Sequence, residues 1–261
     1  MELKIELDGR AVEAYWHGPA PDAAPTIVML HEGLGCAALW RDLPQKIAAA
    51  TGCGVLVYSR FGYGHSAPEP LPFPLSYMHD HAFNVLPRIL DEAGIQRAIL
   101  LGHSDGGSIA TLYAGGTQDF RLRGIALIAP HFFVEDITIT SIEAAKTAYE
   151  TTDLRARLAK YHRDPDNAFW GWNGAWLNPA FRAWRIDDHL PTIRVPILIL
   201  QGEADEYGTA AQLSLAESEV YCPIETRLIA GAKHSPQNSH QAETLGALTA
   251  FVERIRVLEE I

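Results

Sequence analysis

The stretch Gly102-His103-Ser104-Asp105-Gly106 sets a hydroxyl between two glycines in the spacing G-x-S-x-G, where an apolar run gives way to a helix-like segment. A chain that turns from strand to helix this tightly strains its central residue, and only glycine neighbours avoid collision. Such a bend lifts the Ser104 hydroxyl above the sheet as a nucleophile. A serine hydroxyl is weak until a base takes its proton, and the base needs an acid to orient it. Two later stretches supply those residue types, Gln201-Gly202-Glu203-Ala204-Asp205 and Ala230-Gly231-Ala232-Lys233-His234. The reading is Ser104 as nucleophile, Asp205 as acid and His234 as base. Glu203 and Glu206 compete for the acid, and His240 competes for the base. Attack on a carbonyl leaves charge on oxygen, which needs donors fixed in advance. The N–H of Asp105 is one candidate, and that of Gly33 in His31-Glu32-Gly33-Leu34-Gly35 is the other, with Leu34 as fallback.

These groups meet only if the intervening elements carry them to one rim. Two alternating segments, 3–7 and 12–16, flank the turn signal Asp8-Gly9 and predict an antiparallel hairpin. Short apolar runs at 27–30, 54–58, 98–101, 125–129 and 197–200, with a weaker one at 225–229, predict strands covered on both faces. Helical patterns at 37–50, 76–93, 108–114, 210–219 and 241–258 alternate with them, so the class is α/β with right-handed crossovers. Pro87 is expected to kink the second helix. In such a sheet the carboxyl ends of parallel strands share one rim, where sites form.

Between 131 and 191 no strand signal occurs. The segment reads as helical over 141–161 and then as aromatic and loop-like. About 60 residues is too long for a loop, so a separate lid over 131–191 is expected, with the core in 1–130 and 192–261. Trp170, Trp172 and Trp176 in this insertion, and Phe132 and Phe133 at its root, favour a pocket for apolar or aromatic groups.

The chain has 261 residues and 21 Lys and Arg against 32 Asp and Glu, a net charge of −11. Without a basic run it is a poor partner for nucleic acid or an anionic membrane. Three scattered cysteines make neither a disulfide framework nor a zinc site. The N-terminus has no signal-like apolar region and no run is long enough to span a bilayer, so a cytoplasmic protein is expected. His79-Asp80-His81 is set aside as a metal site, because residues i and i+2 of a helix point apart. The expectation is a small-molecule substrate, with no cofactor and no metal. Oligomeric state is left open, a homo-oligomer being admissible.

The chain resembles the α/β-hydrolase fold superfamily over nearly its whole length. The resemblance rests on Gly102-His103-Ser104-Asp105-Gly106, the His31…Gly33-Leu34-Gly35 loop, Ser59-Arg60-Phe61-Gly62-Tyr63-Gly64-His65-Ser66, Gly202-Glu203-Ala204-Asp205 and His234-Ser235-Pro236. It implies an eight-stranded, mostly parallel sheet flanked by helices, a helical cap after the sixth strand, and a Ser–His–Asp triad. Two positions depart from the family pattern, which usually has Gly where Glu32 stands and often Asp where Ser59 stands. Glu32 thus sets a carboxylate beside the oxyanion loop and joins the pocket candidates. The function expected is hydrolysis of a small apolar or aromatic carboxylic ester through an acyl-enzyme. Carbon–carbon hydrolysis of a meta-cleavage-type diketone is the alternative. Two readings of other classes are an NADP-dependent reductase, from Gly33-x-Gly35-x-x-Ala38 with Arg60 as a 2′-phosphate ligand, and a ligand receptor on a hydrolase scaffold.

Overall fold

A computed structural model describes residues 1–259. The strands are β1 (Glu2–Leu7), β2 (Arg10–His17), β3 (Thr26–Leu30), β4 (Gly54–Tyr58), β5 (Ala98–His103), β6 (Leu122–Ile128), β7 (Ile197–Gly202) and β8 (Ile224–Ile229). They form one sheet in the order β1-β2-β4-β3-β5-β6-β7-β8. Pairing is antiparallel for β1–β2 and β2–β4, and parallel from β4 through β3, β5, β6 and β7 to β8. The eight-stranded, mostly parallel sheet expected from the apolar runs is therefore present.

Alternation along the strands splits the core in two. Val28 and Leu30 face one side with Leu56, Leu100 and Ile125, whereas Ile27 and Met29 face the other with Val55, Leu101 and Leu198. The second side is covered by α1 (Leu43–Thr51) and, at the end of the chain, by Leu248, Phe251 and Val252 of the long C-terminal helix. The first side is covered by the helical stretch over 77–92 and by the helix that follows β5.

That stretch begins as α2 (Tyr77–Asp80), widens into a π turn (His81–Val85) and resumes as α3 (Leu86–Glu92). The widening falls just ahead of Pro87, whose ring has no N–H and would strike the carbonyl four residues back in a regular helix. Where a kink was expected at Pro87, the structure shows this π turn just ahead of it. Helix α4 (Asp105–Gly116) is buried on every side from Asp105 to Ala114, so it sits between layers rather than on the surface.

Between β6 and β7 lie α5 (Asp136–Thr151), α6 (Leu154–Leu158) and α7 (Pro165–Trp176), followed by two 3₁₀ turns (Pro179–Ala183 and Asp187–Thr192). The tryptophan-rich part, expected to be loop-like, is the helix α7. Its two glycines masked the periodicity; Gly171 is there because a Cβ would fall 2.3 Å from the Phe73 ring. The capping signal was nevertheless present, since the Asp164 carboxylate accepts from the Asn167 N–H at 2.9 Å and Pro165 opens the helix. Backbone pairing of Phe133 with Arg185 and the Ile186 N–H to the Phe132 carbonyl at 2.8 Å tie the two ends of the insertion together. The chain resumes with α8 (Ala211–Glu219), α9 (Pro236–Ser239) and α10 (Gln241–Glu259). Among the described residues no helix is long and apolar enough to cross a membrane.

Candidate active site

Ser104 sits on the single bend between β5 and α4 with φ 52° and ψ −117°, a left-handed conformation strained for a side-chain-bearing residue. Its neighbours leave no room for a side chain. A Cβ on Gly102 would lie 2.2 Å from the Gly106 carbonyl oxygen, and one on Gly106 would lie 2.0 Å from that of Leu30. The bend is held by the Ser104 N–H donating to the Ile128 carbonyl at 2.9 Å, and by Gly107 and Ser108 N–H groups on the Ser104 carbonyl.

The imidazole of His234, beyond β8, approaches the hydroxyl with Nε2 at 2.9 Å from Ser104 Oγ. Its Nδ1 lies 2.8 and 2.9 Å from the two carboxylate oxygens of Asp205, just past β7. A carboxylate can only accept, so Nδ1 carries the proton and the Nε2 lone pair faces the serine. Asp205 is itself fixed by the Gln201 amide at 2.6 Å and by the N–H groups of Tyr207 and Gly208 at 2.8 and 3.3 Å. Burial alone would raise its carboxyl, but these donors and the His234 ring outweigh it and hold the group below its ordinary value.

The competing residues take other places. The Glu206 carboxylate accepts from the backbone N–H of His234 at 3.2 Å, and that of Glu203 from the N–H of Gly231 at 3.2 Å. Both brace the histidine loop from its backbone. His240 lies at the start of α10 beside Ser239.

Gly33 and Leu34 flank Ser104 in one cavity of about 580 Å³, with Glu32, His103, Trp172 and Tyr207 among its walls. Asp105 opens α4, where a backbone N–H has no partner within the helix. Among the described residues neither its N–H nor that of Gly33 has a protein acceptor. The Trp172 indole roofs Gly33, where a Cβ would lie 2.1 Å from its Nε1. Of the aromatic pocket candidates, Trp172 alone lines this cavity. Trp170 packs on Tyr149 and Phe169 within the insertion. Trp176 is buried against His131, Phe181 and Trp184, and Phe132 is fully buried. Phe133 is taken up in the pairing with Arg185. These four are corrected from pocket wall to packing: α7 turns one face to the cavity and Trp170 and Trp176 to its own core, while Phe132 and Phe133 pack into the core where the chain leaves the sheet.

The two departures from the family pattern have local explanations. The half-buried Glu32 carboxylate lies 3.3 Å from His103 Nδ1 on the cavity wall, in space opened by Gly35, where a Cβ would be 2.4 Å from Glu32 Oε2. Burial would raise this carboxyl, but the His103 ring outweighs it and holds the group low. Ser59 donates to Glu13 Oε2 at 2.6 Å and accepts from the Ala37 N–H at 2.9 Å. The same Glu13 oxygen accepts the His65 N–H at 3.0 Å, so β2 supplies the carboxylate that β4 lacks.

Sequence reasoning passed over the buried group behind the site. Asp105 accepts from the Tyr77 hydroxyl at 2.5 Å and the Trp176 indole at 3.3 Å, with Arg60 3.7 Å away. Burial pushes the Asp105 carboxyl up despite these partners. Arg60, offered above as a phosphate ligand, is 1% exposed and cannot meet a dinucleotide.

The model of the alpha/beta hydrolase family matches residues 27–247. A protein of Stutzerimonas stutzeri (strain A1501), provisionally named carbamate hydrolase RutD, is 38% identical over 94 residues, 36% of this chain and 33% of that protein. A proline iminopeptidase of Lactobacillus delbrueckii subsp. lactis is 28% identical over 108 residues, 41% of this chain and 35% of that one. The matched segment thus spans about a third of the length of these curated relatives. The solved esterase EaEST from Exiguobacterium antarcticum superposes with a TM-score of 0.77 at 17% identity, covering 97% of this chain and 100% of the esterase. With the family model matched across both the serine bend and the aspartate strand, the chain belongs to the alpha/beta hydrolase family.

Proposed function

We propose that the protein is a serine hydrolase that cleaves small, apolar or aromatic carboxylic esters through an acyl-enzyme. The observation that carries this is the unbroken hydrogen-bonded run from Ser104 Oγ through His234 to Asp205. As the Oγ–carbon bond forms, His234 Nε2 takes the serine proton and Asp205 stabilises the resulting imidazolium. The former carbonyl oxygen takes the charge and is met by the N–H groups of Gly33 and Asp105. Collapse breaks the bond to the alcohol oxygen, which leaves with the proton held on His234. Water then repeats the cycle and releases the acid. Trp172, Leu34 and Tyr207 give the cavity apolar surface, while the Glu32 and Glu206 carboxylates on its wall disfavour esters that carry a carboxylate. The insertion over 131–191 acts as the cap that closes over the acyl group, with Trp172 as its contact. The esterase activity named for the Exiguobacterium antarcticum protein is consistent with this choice of bond.

The test is Ser104→Ala. Turnover of p-nitrophenyl esters and covalent labelling by a fluorophosphonate are both expected to vanish. Labelling that persists at another serine contradicts the assignment.

A further inference from the structure

Arg60 follows β4, and its side chain is wholly buried behind the cavity rather than in it. Its Nη2 donates to the Glu32 carbonyl at 2.9 Å. The same carbonyl is 2.7 Å from His31 Nδ1, and His31 Nε2 accepts the Arg60 N–H at 3.0 Å. The ring therefore carries its proton on Nδ1 and donates it to Glu32, and the Gly35 N–H reaches the same oxygen at 3.1 Å, so three donors hold one carbonyl oxygen.

That carbonyl belongs to the same peptide group as the Gly33 N–H. A trans peptide is planar, and its C=O and N–H point in opposite directions. Pinning the Glu32 oxygen toward the buried guanidinium turns the Gly33 N–H the other way. A cation on the oxygen also draws electron density along the amide and makes the N–H a stronger donor. Arg60 reaches the other donor residue too, since Nη2 lies 3.7 Å from Asp105 Oδ2.

The guanidinium is an expensive anchor if packing were its only use. Nη1 is buried with no hydrogen-bond partner among the described residues, and the approach of Nη2 to Asp105 at 3.7 Å is outside hydrogen-bond range. An apolar side chain of similar length would fill the space without that cost. We infer that Arg60 is a positioning residue of the oxyanion hole: it fixes and polarises the Glu32–Gly33 peptide and steadies Asp105, so that both N–H groups meet the charge formed on the substrate oxygen. This rests on the proposal that Ser104 is the nucleophile and Gly33 a donor.

Arg60→Met and Arg60→Lys, measured beside Ser104→Ala, test it. Removing the charge is expected to lower kcat by about 10²-fold, the scale of losing one oxyanion donor, with KM changed less than about threefold. Lysine is expected to restore part of the rate. The acyl-enzyme carbonyl stretch, read by infrared difference spectroscopy with a ¹³C-labelled ester, is expected to move to higher frequency as the rate falls. A packing role would not shift that band. An unchanged kcat, or a lowered kcat with an unmoved carbonyl band, overturns the inference. So does failure of both variants to fold, which would make Arg60 a folding residue; if only the methionine variant fails, the lysine variant carries both readouts. Turnover retained by Ser104→Ala would instead sink the nucleophile assignment, whatever Arg60 does.

Discussion

At the scale of single residues, position relative to the strand ends was legible and orientation was not. Ser104, Asp205 and His234 could be proposed together because each follows a run of aliphatic residues, and parallel strands end on one rim. The choice of Asp205 over Glu203 or Glu206 depends on a loop whose carboxylates all lie within four residues, and only the folded chain shows which one meets the imidazole. Tyr77 and Gln201 escaped notice, and Arg60 was read only as a phosphate ligand, because burial gives a polar residue no sequence signature of its own. If Asp205 holds His234 in the tautomer described, Asp205→Asn will leave the cavity intact and lower kcat by about 10⁴-fold. Steady-state kinetics on a p-nitrophenyl ester check this, and a loss under about tenfold would mean that another group orients the ring.

Elements were legible where the hydrophobic period was clean. The β3 run Thr26–Leu30 is buried at every position, and its extent could be set to within a residue. Helix α7 was not, because packing against Phe73 demanded glycine where helix propensity would have favoured another residue. The tightest element-level constraint is the junction of β3, β5 and α4. There the Gly106 backbone is pressed on the Leu30 carbonyl so closely that an added methyl would sit 2.0 Å from its oxygen. The obstacle is backbone at the centre of the sheet and cannot rotate aside. Gly106→Ala is therefore expected to cost on the order of 3 kcal/mol and to displace the Ser104 bend. Urea unfolding beside fluorophosphonate labelling would reveal this; a variant of unchanged stability and labelling rate would show the junction to be looser than described.

For the whole molecule, the notable feature is how many ionisable side chains the sheet layers enclose despite a net charge of −11. His31, His81 and His131 are buried, and desolvation lowers all three, His81 and His131 to about 3. Their folded values are depressed below the unfolded one of about 6.5, so between those limits the unfolded chain binds more protons. Stability is thus full above about pH 6.5 and falls as the pH drops, by roughly 2 kcal/mol for each of His81 and His131 between pH 7 and 5, with His31 adding in the same direction. Urea titrations at the two pH values check this, and equal unfolding free energies would contradict it. None of this was visible in composition, which counts histidines without locating them.

In the proposed reaction the Ser104 hydroxyl itself attacks the substrate. Rapid quenching of the enzyme with p-nitrophenyl butyrate, followed by peptide mass spectrometry, tests it most directly. A burst of p-nitrophenol is expected, matched by a butyryl group on the peptide containing Ser104. Sustained turnover with that peptide unmodified, or with the acyl group on another residue, would contradict it.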